Sequence, residues 1–443
     1  MGEISDYIAG YYDRQPEYEW ERLERHRMEY ALTMRAMANY LPAPPARILD
    51  CGGGPGRYSL ELARQGYRVT LFDLSSGNLR LAQGKVAGAG LQLEAYELGT
   101  ATDLSRFAGE TFDAVLLMGP LYHLLEIEER QQALQEARRV LKPGGALLAA
   151  FISRYAAHRW AALNRPEMIA NGESDELLRT GRIPLPVQDE PASFVAYMAH
   201  PSEVAPLCWQ AGFQVQVVLG LEGLISQIEA PVNALGEAAA PGSERLALWE
   251  AWVALNEQVA ADSSLHGCVE HLLVVAHKPR WRAVLRAIAQ RLNQAGIPYN
   301  VAGGASLALH GLPLAVRDID IEVSAEDAYH VQELFSVQVV EPVALGSTDL
   351  YRSHFGVFDF DGVRVEVMGD NQRREGNAWL PTRTQTRDIL DLDGVPVNAS
   401  WLEEELLAYI RRGRLERAAL CLPHCDRDRL LALLRGQVKT QVI

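Results

Sequence analysis

No run of this 443-residue chain is apolar for long enough to cross a bilayer. Stretches such as Ala146 to Ile152 are far shorter than the roughly 20 residues a membrane helix needs. The first thirty residues are dense in Glu, Arg and Tyr and hold no apolar core of the signal-peptide kind. Cysteine is scarce: five, at 51, 208, 268, 421 and 425, odd in number and scattered. That usage argues against a disulfide framework and suits a reducing cytoplasm. Cys421 and Cys425 flank His424, but no second ligand pair accompanies them, so they read as ordinary residues. Excess positive charge is also lacking. Residues 279–443 carry 19 basic against 22 acidic side chains, and residues 1–278 carry 23 against 35, for a net charge of −15. Neither part offers the bulk basic surface of a non-specific nucleic-acid binder.

What is present is ordinary for a globular protein: 48% hydrophobic and 22% charged residues. The length implies two domains or three. The first is organised around Arg47-Ile-Leu-Asp-Cys-Gly-Gly-Gly-Pro-Gly56. Ile48 and Leu49 read as the end of a buried strand, and Arg57 to Arg64 as the helix after it. Gly52, Gly54 and Gly56 follow Asp50 at alternate positions, and a turn without Cβ atoms lets a ligand approach the backbone. A dinucleotide turn would have its third glycine one residue later, where Arg57 stands.

This spacing resembles the first motif of the class I S-adenosylmethionine (SAM) methyltransferases. The resemblance extends in order through residues 5–278. Tyr7, Tyr11 and Tyr12 open a segment expected to continue as a charged helix to about Tyr40, stopped by Leu41-Pro-Ala-Pro-Pro45. In relatives such tyrosines fold over SAM, which marks Tyr11 and Tyr12. Asp73 ends a second strand, Val69 to Asp73, where an acid accepts hydrogen bonds from both ribose hydroxyls. Thr100 and Ala101 stand in the adenine region, with Asp103 as a substitute for the acid relatives place at 100. Thr111 to Leu117 reads as strand four, followed by a loop from Met118 to Leu124. Met118 belongs to the cofactor site by the same resemblance, and His123, oriented by Tyr122, is the candidate general base. A sheet-edge packing role weighs equally for His123. Residues 153–200 resemble a substrate cap, with a short strand at Phe194 to Met198. The implied fold is α/β: a Rossmann-like seven-stranded sheet whose final strand is antiparallel.

His277-Lys-Pro-Arg-Trp281 reads as a joint, placing a second domain at 279–443. Its helix carries Leu285, Ile288, Ala289 and Leu292 on one face and stops at Gly296. Asp318 and Asp320 alternate on a strand, hence share a face about 7 Å apart. Paired acids repel unless a cation neutralises them. Gly303-Gly304-Ala-Ser306, a short helix and then Asp-x-Asp resemble the polymerase-β-type nucleotidyltransferases, nearest the aminoglycoside and lincosamide branch. A smaller α/β domain is implied. Gly303, Gly304 and Ser306 would hold an NTP, and Asp318, Asp320 and Glu366 would bind Mg²⁺. Asp359 competes with Glu366 for the third place. Trp401 to Ala418 reads as one helix, with Arg414 a candidate phosphate contact.

These readings give a bifunctional cytoplasmic enzyme that uses SAM, Mg²⁺ and an NTP on a small-molecule acceptor, with no membrane partner. An RNA acceptor is a rival, disfavoured by the acidic balance. A second domain that only binds nucleotide is another.

Overall fold

Ile48, Leu49, Val69, Leu71, Val115 and Leu116 have no exposed surface, as parallel strands covered on both faces require. They belong to β1 (Arg47–Cys51), β2 (Arg68–Asp73) and β4 (Phe112–Leu117), with β3 (Ala95–Leu98) between the last two in sequence. In this computed structural model residues 3–183, 194–226, 228–237, 239–382 and 386–435 are described. The chain divides into two compact units, Met1–Lys278 and Pro279–Ile443.

Among the described residues of the first unit, seven strands form one sheet in the order β3-β2-β1-β4-β5-β7-β6. The remaining strands are β5 (Leu141–Ile152), β6 (Gln214–Gly220) and β7 (His271–His277). β7 runs antiparallel to both its neighbours, and the other pairings are parallel. Helices cover both faces. Ala133, Leu134, Ala137, Val204 and Leu207 close one core layer. Met28, Leu32, Met37, Trp249 and Val253 close the other. The chain reverses its winding direction between β1 and β4, and open α/β sheets bind ligands at the carboxyl ends of strands flanking such a point.

The amino-terminal segment differs from the single helix expected. It forms α1 (Glu3–Asp13), α2 (Pro16–Arg25) and α3 (Arg27–Tyr40). Pro16 takes the first position of α2, where its missing N–H is harmless. His26 leaves helical geometry at φ −109° and ψ 61°. The strand expected at Phe194 to Met198 is absent: Tyr197 and Ala199 make only isolated bridges, to Arg182 and Ser153. The cap region instead holds the helices Arg154–Asn164 and Glu173–Thr180. Its residues 184–193 lie outside the described ones. Helices at Glu229–Gly236 and Glu244–Val259 precede β7.

The second unit builds on β8 (Asn300–Ala302), β9 (Asp318–Val323), β10 (Val339–Ser347), β11 (Tyr351–Phe360), β12 (Val363–Glu375), β13 (Ala378–Pro381), β14 (Arg387–Leu392) and β15 (Val395–Ser400). Their order is β10-β11-β12-β9-β8-β15-β14, with β13 on the end of β12. Leu285, Ile288, Ala289 and Leu292 of the helix Arg280–Ala295 are buried against it. β11 and β12 turn at Asp361 and Gly362, both at positive φ, the geometry that matches hairpin twist. The tail helix is broken in two, Leu402–Arg411 and Leu415–Cys421. Gly413 ends the first at φ 69°, and the Arg414 N–H closes back on the Tyr409 carbonyl at 2.9 Å.

Candidate functional site

A cavity lies at the carboxyl ends of β1, β2 and β4. It is lined by Gly52, Gly53, Gly54, Asp50, Asp73, Thr100, Ala101 and Met118, and by Tyr122, His123 and Tyr12. Helices α1 and α2 close it from above with Ile8, Glu19 and Arg22. The glycines do different work. Gly52 and Gly54 both sit at positive φ, 74° and 55°. A Cβ on Gly52 would stand 2.3 Å from the Pro120 ring, whereas one on Gly54 meets nothing nearer than 3.8 Å. Gly52 thus admits the turn after β4, and Gly54 keeps open the space a ligand would use. Gly56 starts the helix Arg57–Arg64 and approaches Leu71 and Ala82, behind the cavity.

Asp73 anchors the turn: its carboxylate accepts the Gly54 and Ser75 N–H groups, each at 2.8 Å. Asp50 accepts the Ser59 hydroxyl at 2.6 Å. Burial pushes both acids up to about 6, against those hydrogen bonds. Two desolvated carboxylates beside a bare glycine backbone suit a ligand that brings a positive charge and hydroxyl donors.

His123 Nδ1 lies 2.8 Å from the Val195 carbonyl. A carbonyl only accepts, so Nδ1 carries the proton and Nε2 is the acceptor. The Tyr12 hydroxyl, 2.7 Å from Nε2, therefore donates. Burial drops the imidazole to about 4, despite the Val195 contact. The ring is neutral near pH 7, with its lone pair held by Tyr12. Tyr122 does not orient it by hydrogen bonding: its ring lies 4.8 Å away, and its hydroxyl donates to Met118 at 3.4 Å. Val195 and Tyr12 do the orienting. Tyr11 is outside the lining and sits edge-on to Tyr12 and Phe194. Asp103 is exposed, its carboxylate turned to the Ser105 N–H at 3.0 Å.

Arg22 was not legible as a site residue. It lines the cavity and clamps Glu29 by two 2.8 Å bonds. Burial opposes the charge of Glu29, but Arg22 and His271 hold its carboxyl down to about 2. Arg22 and Glu29 are on different helices, so no single-helix spacing announces them. Gly53 lines the cavity as well, inside the very motif where alternate glycines drew the eye.

In the second unit the burial pattern of β9 alternates, with Ile319 and Ile321 inside, leaving Asp318 and Asp320 on the opposite face. β12 pairs with β9 in parallel, Glu366 opposite Asp320 and Arg364 opposite Asp318. Residues so paired share a face, so Glu366 joins the two aspartates there. Its carboxylate is held by Arg364 Nε at 2.8 Å, and the three acids do not bring ligand atoms mutually within 4.8 Å. Asp359 accepts the Gly362 N–H at 3.0 Å and serves the hairpin turn. Gly303 sits at φ 63°, and a Cβ there would lie 2.2 Å from Asp320 Oδ2. Its N–H donates to Glu405 at 2.8 Å, a buried acid absent from the sequence reading. Gly304 has an open surrounding. Ser306 is fully buried and donates to the Ser400 carbonyl at 3.1 Å. Arg414 is exposed. Three carboxylates on one face are the oxygen donors a hard divalent cation takes.

Comparison with known proteins agrees with both units. Residues 48–145 match a methyltransferase-domain family model, and residues 284–415 match that of the aminoglycoside-2''-adenylyltransferases. The ubiquinone biosynthesis O-methyltransferase of Rhizobium rhizogenes is 32% identical over 172 residues, covering 33% of this chain and 67% of the relative. That of Methylocella silvestris is 37% identical over 117 residues, covering 26% and 44%. The chain spans about half the length of such relatives. A solved Thermotoga maritima protein, a nucleotidyltransferase by assignment, is 35% identical, covering 32% of this chain and 90% of its own at a TM-score of 0.30. Through its first unit the chain belongs to the SAM-dependent methyltransferases. Its second unit is a nucleotidyltransferase-like domain of the aminoglycoside-adenylyltransferase kind. Among the described residues no helix is long and apolar enough to cross a membrane.

Proposed function

We propose that the protein is a bifunctional enzyme that transfers a methyl group from SAM to a small-molecule acceptor and a nucleotidyl group from an NTP to a hydroxyl. The observation that carries the first half is the single cavity uniting the glycine turn, Asp73, Ala101 and the Tyr12–His123 pair. Bound SAM supplies a methyl group already activated by its sulfonium. Asp73 would accept from the ribose hydroxyls of SAM and Asp50 would offset its cationic amino-acid end, with Gly54 leaving room for the ligand. Tyr12, on α1, excludes water from above. An acceptor hydroxyl that replaces Tyr12 at His123 Nε2 finds a lone pair fixed in place by Val195, and the imidazole takes its proton. The O-methyltransferase names of the relatives favour an oxygen acceptor.

In the second unit Asp318, Asp320 and Glu366 would hold Mg²⁺, with Glu366 released from Arg364 on binding. The ion, when present, neutralises phosphate charge. Gly303 and Gly304 would leave bare backbone beside the triphosphate, with the Gly303 N–H itself taken by Glu405. The test is incubation of the full chain with SAM, each NTP and Mg²⁺ against a metabolite extract, read by mass spectrometry. Mass gains of one methyl, of one nucleotidyl group, or both, on small molecules support the proposal. Gains confined to RNA, or SAM and NTP binding with no transfer, reject it.

A further inference from the structure

Beyond the cavity, the described residues form two groups whose nitrogen and carboxylate ligand atoms lie within 4.8 Å of one another: Glu29, Glu222 and His271, and His26, Glu229 and Glu270. They differ in what already satisfies them. In the first, Arg22 clamps Glu29. Glu222 takes the His271 imidazole at 2.6 Å and the Glu270 and His271 N–H groups at 2.9 Å. Two basic side chains face two carboxylates, and the group is balanced.

The second group is not. His26 Nδ1 stands 3.8 Å from Glu229 Oε2, too far for a good hydrogen bond. His26 is the one basic side chain in the group against two carboxylates. Beside it lies Asn233, four residues along the helix Glu229–Gly236 and only 8% exposed. Its Nδ2 donates to the Arg25 carbonyl at 3.0 Å and to Glu229 at 3.3 Å. Those donations fix the amide orientation and leave Oδ1 buried with no partner. Buried amide oxygens are rarely left so.

We propose that His26, Glu229 and Glu270 bind a divalent transition-metal ion, with the orphaned Asn233 Oδ1 as a further oxygen donor. One imidazole nitrogen with two carboxylates and an amide oxygen is a donor set for Zn²⁺ or Mn²⁺, and too hard for Cu⁺. A double positive charge offsets the two carboxylates, and the imidazole binds in its neutral form. The ligands come from three places: the α2–α3 junction, the helix Glu229–Gly236 and the residue before β7. An ion there ties the helices that roof the cavity to the start of β7, an inner strand of the sheet.

The test uses the full chain carrying Asp318→Asn and Asp320→Asn, so that the acids of the second unit do not compete. After chelator treatment it is titrated with Zn²⁺, with Mn²⁺, and with Co²⁺ as a visible-absorption probe. One equivalent bound per chain, with a Tm rise of several degrees, is expected. His26→Gln and Glu270→Gln should each weaken binding at least tenfold. His26 has a side chain 35% exposed, so its variant folds even if Glu270→Gln does not. Uptake that survives His26→Gln unchanged, or a stripped chain that takes up none of the three ions, overturns the proposal and leaves His26 as an imidazolium shared by two carboxylates.

Discussion

At His123 one backbone carbonyl decides the chemistry of a side chain. Because the Val195 carbonyl accepts from Nδ1–H, the Nε2 lone pair faces the Tyr12 hydroxyl. His123→Gln is expected to lower kcat for methyl transfer by about 10²-fold or more, the usual worth of a positioned base. Tyr12→Phe should lower it less, and the double variant should match His123→Gln alone because the pair acts as a unit. Tyr122→Phe should stay within about twofold, since its hydroxyl makes one long bond to Met118. Full additivity in single-turnover rates would separate Tyr12 from His123. The acids titrate in the other direction. Asp73 is held at about 6 by burial, so it is ionised above that pH and protonated below. SAM affinity should be level above about pH 7 and fall as pH drops through 6, while Asp73→Asn makes that fall shallower and leaves the share of Asp50, which burial also holds at about 6. Calorimetry from pH 5 to 8 decides this, and a level wild-type profile would remove the Asp73 carboxylate from recognition.

Among the elements, two glycines of one turn respond differently to the same added carbon. At Gly54 the space is open, so Gly54→Val should fold with modest strain, about 1–2 kcal/mol for a positive φ, yet lose SAM. At Gly52 the added carbon meets Pro120, so Gly52→Ala should lower Tm as well as affinity. Gly303→Ala would press on Asp320 and should abolish Mg²⁺-dependent nucleotide binding with SAM affinity unchanged. Paired melting curves and titrations check all three, and unimpaired SAM binding by folded Gly54→Val would take this turn out of the site.

For the whole molecule, the division at Lys278 and Pro279 gives each unit its own core. Each half should therefore fold alone, 1–278 binding SAM and 279–443 binding NTP with Mg²⁺. Soluble halves that bind neither ligand would mean the sites are shared. Mg²⁺ should tighten binding of a non-hydrolysable NTP in the full chain. Asp320→Asn should lose most of that gain, and equal enhancement in both proteins would leave the second unit as a binding domain.

Sequence alone determined what depends on local period and spacing. The strand–glycine–helix unit at 47–64, the acid ending β2 and the alternation of Asp318 and Asp320 each lie within a short window, where backbone sterics and side-chain period leave few choices. Tertiary structure decided whatever joins distant segments. Period could not show that His26 separates two helices, because its departure to φ −109° and ψ 61° is a backbone state and not a spacing. Nor could it show that Arg22 meets Glu29, that Val195 sets the His123 tautomer from 72 residues away, or that Glu405 reaches the Gly303 peptide. Those contacts exist because folding desolvates the groups, and a buried polar atom takes whichever partner the fold brings within reach.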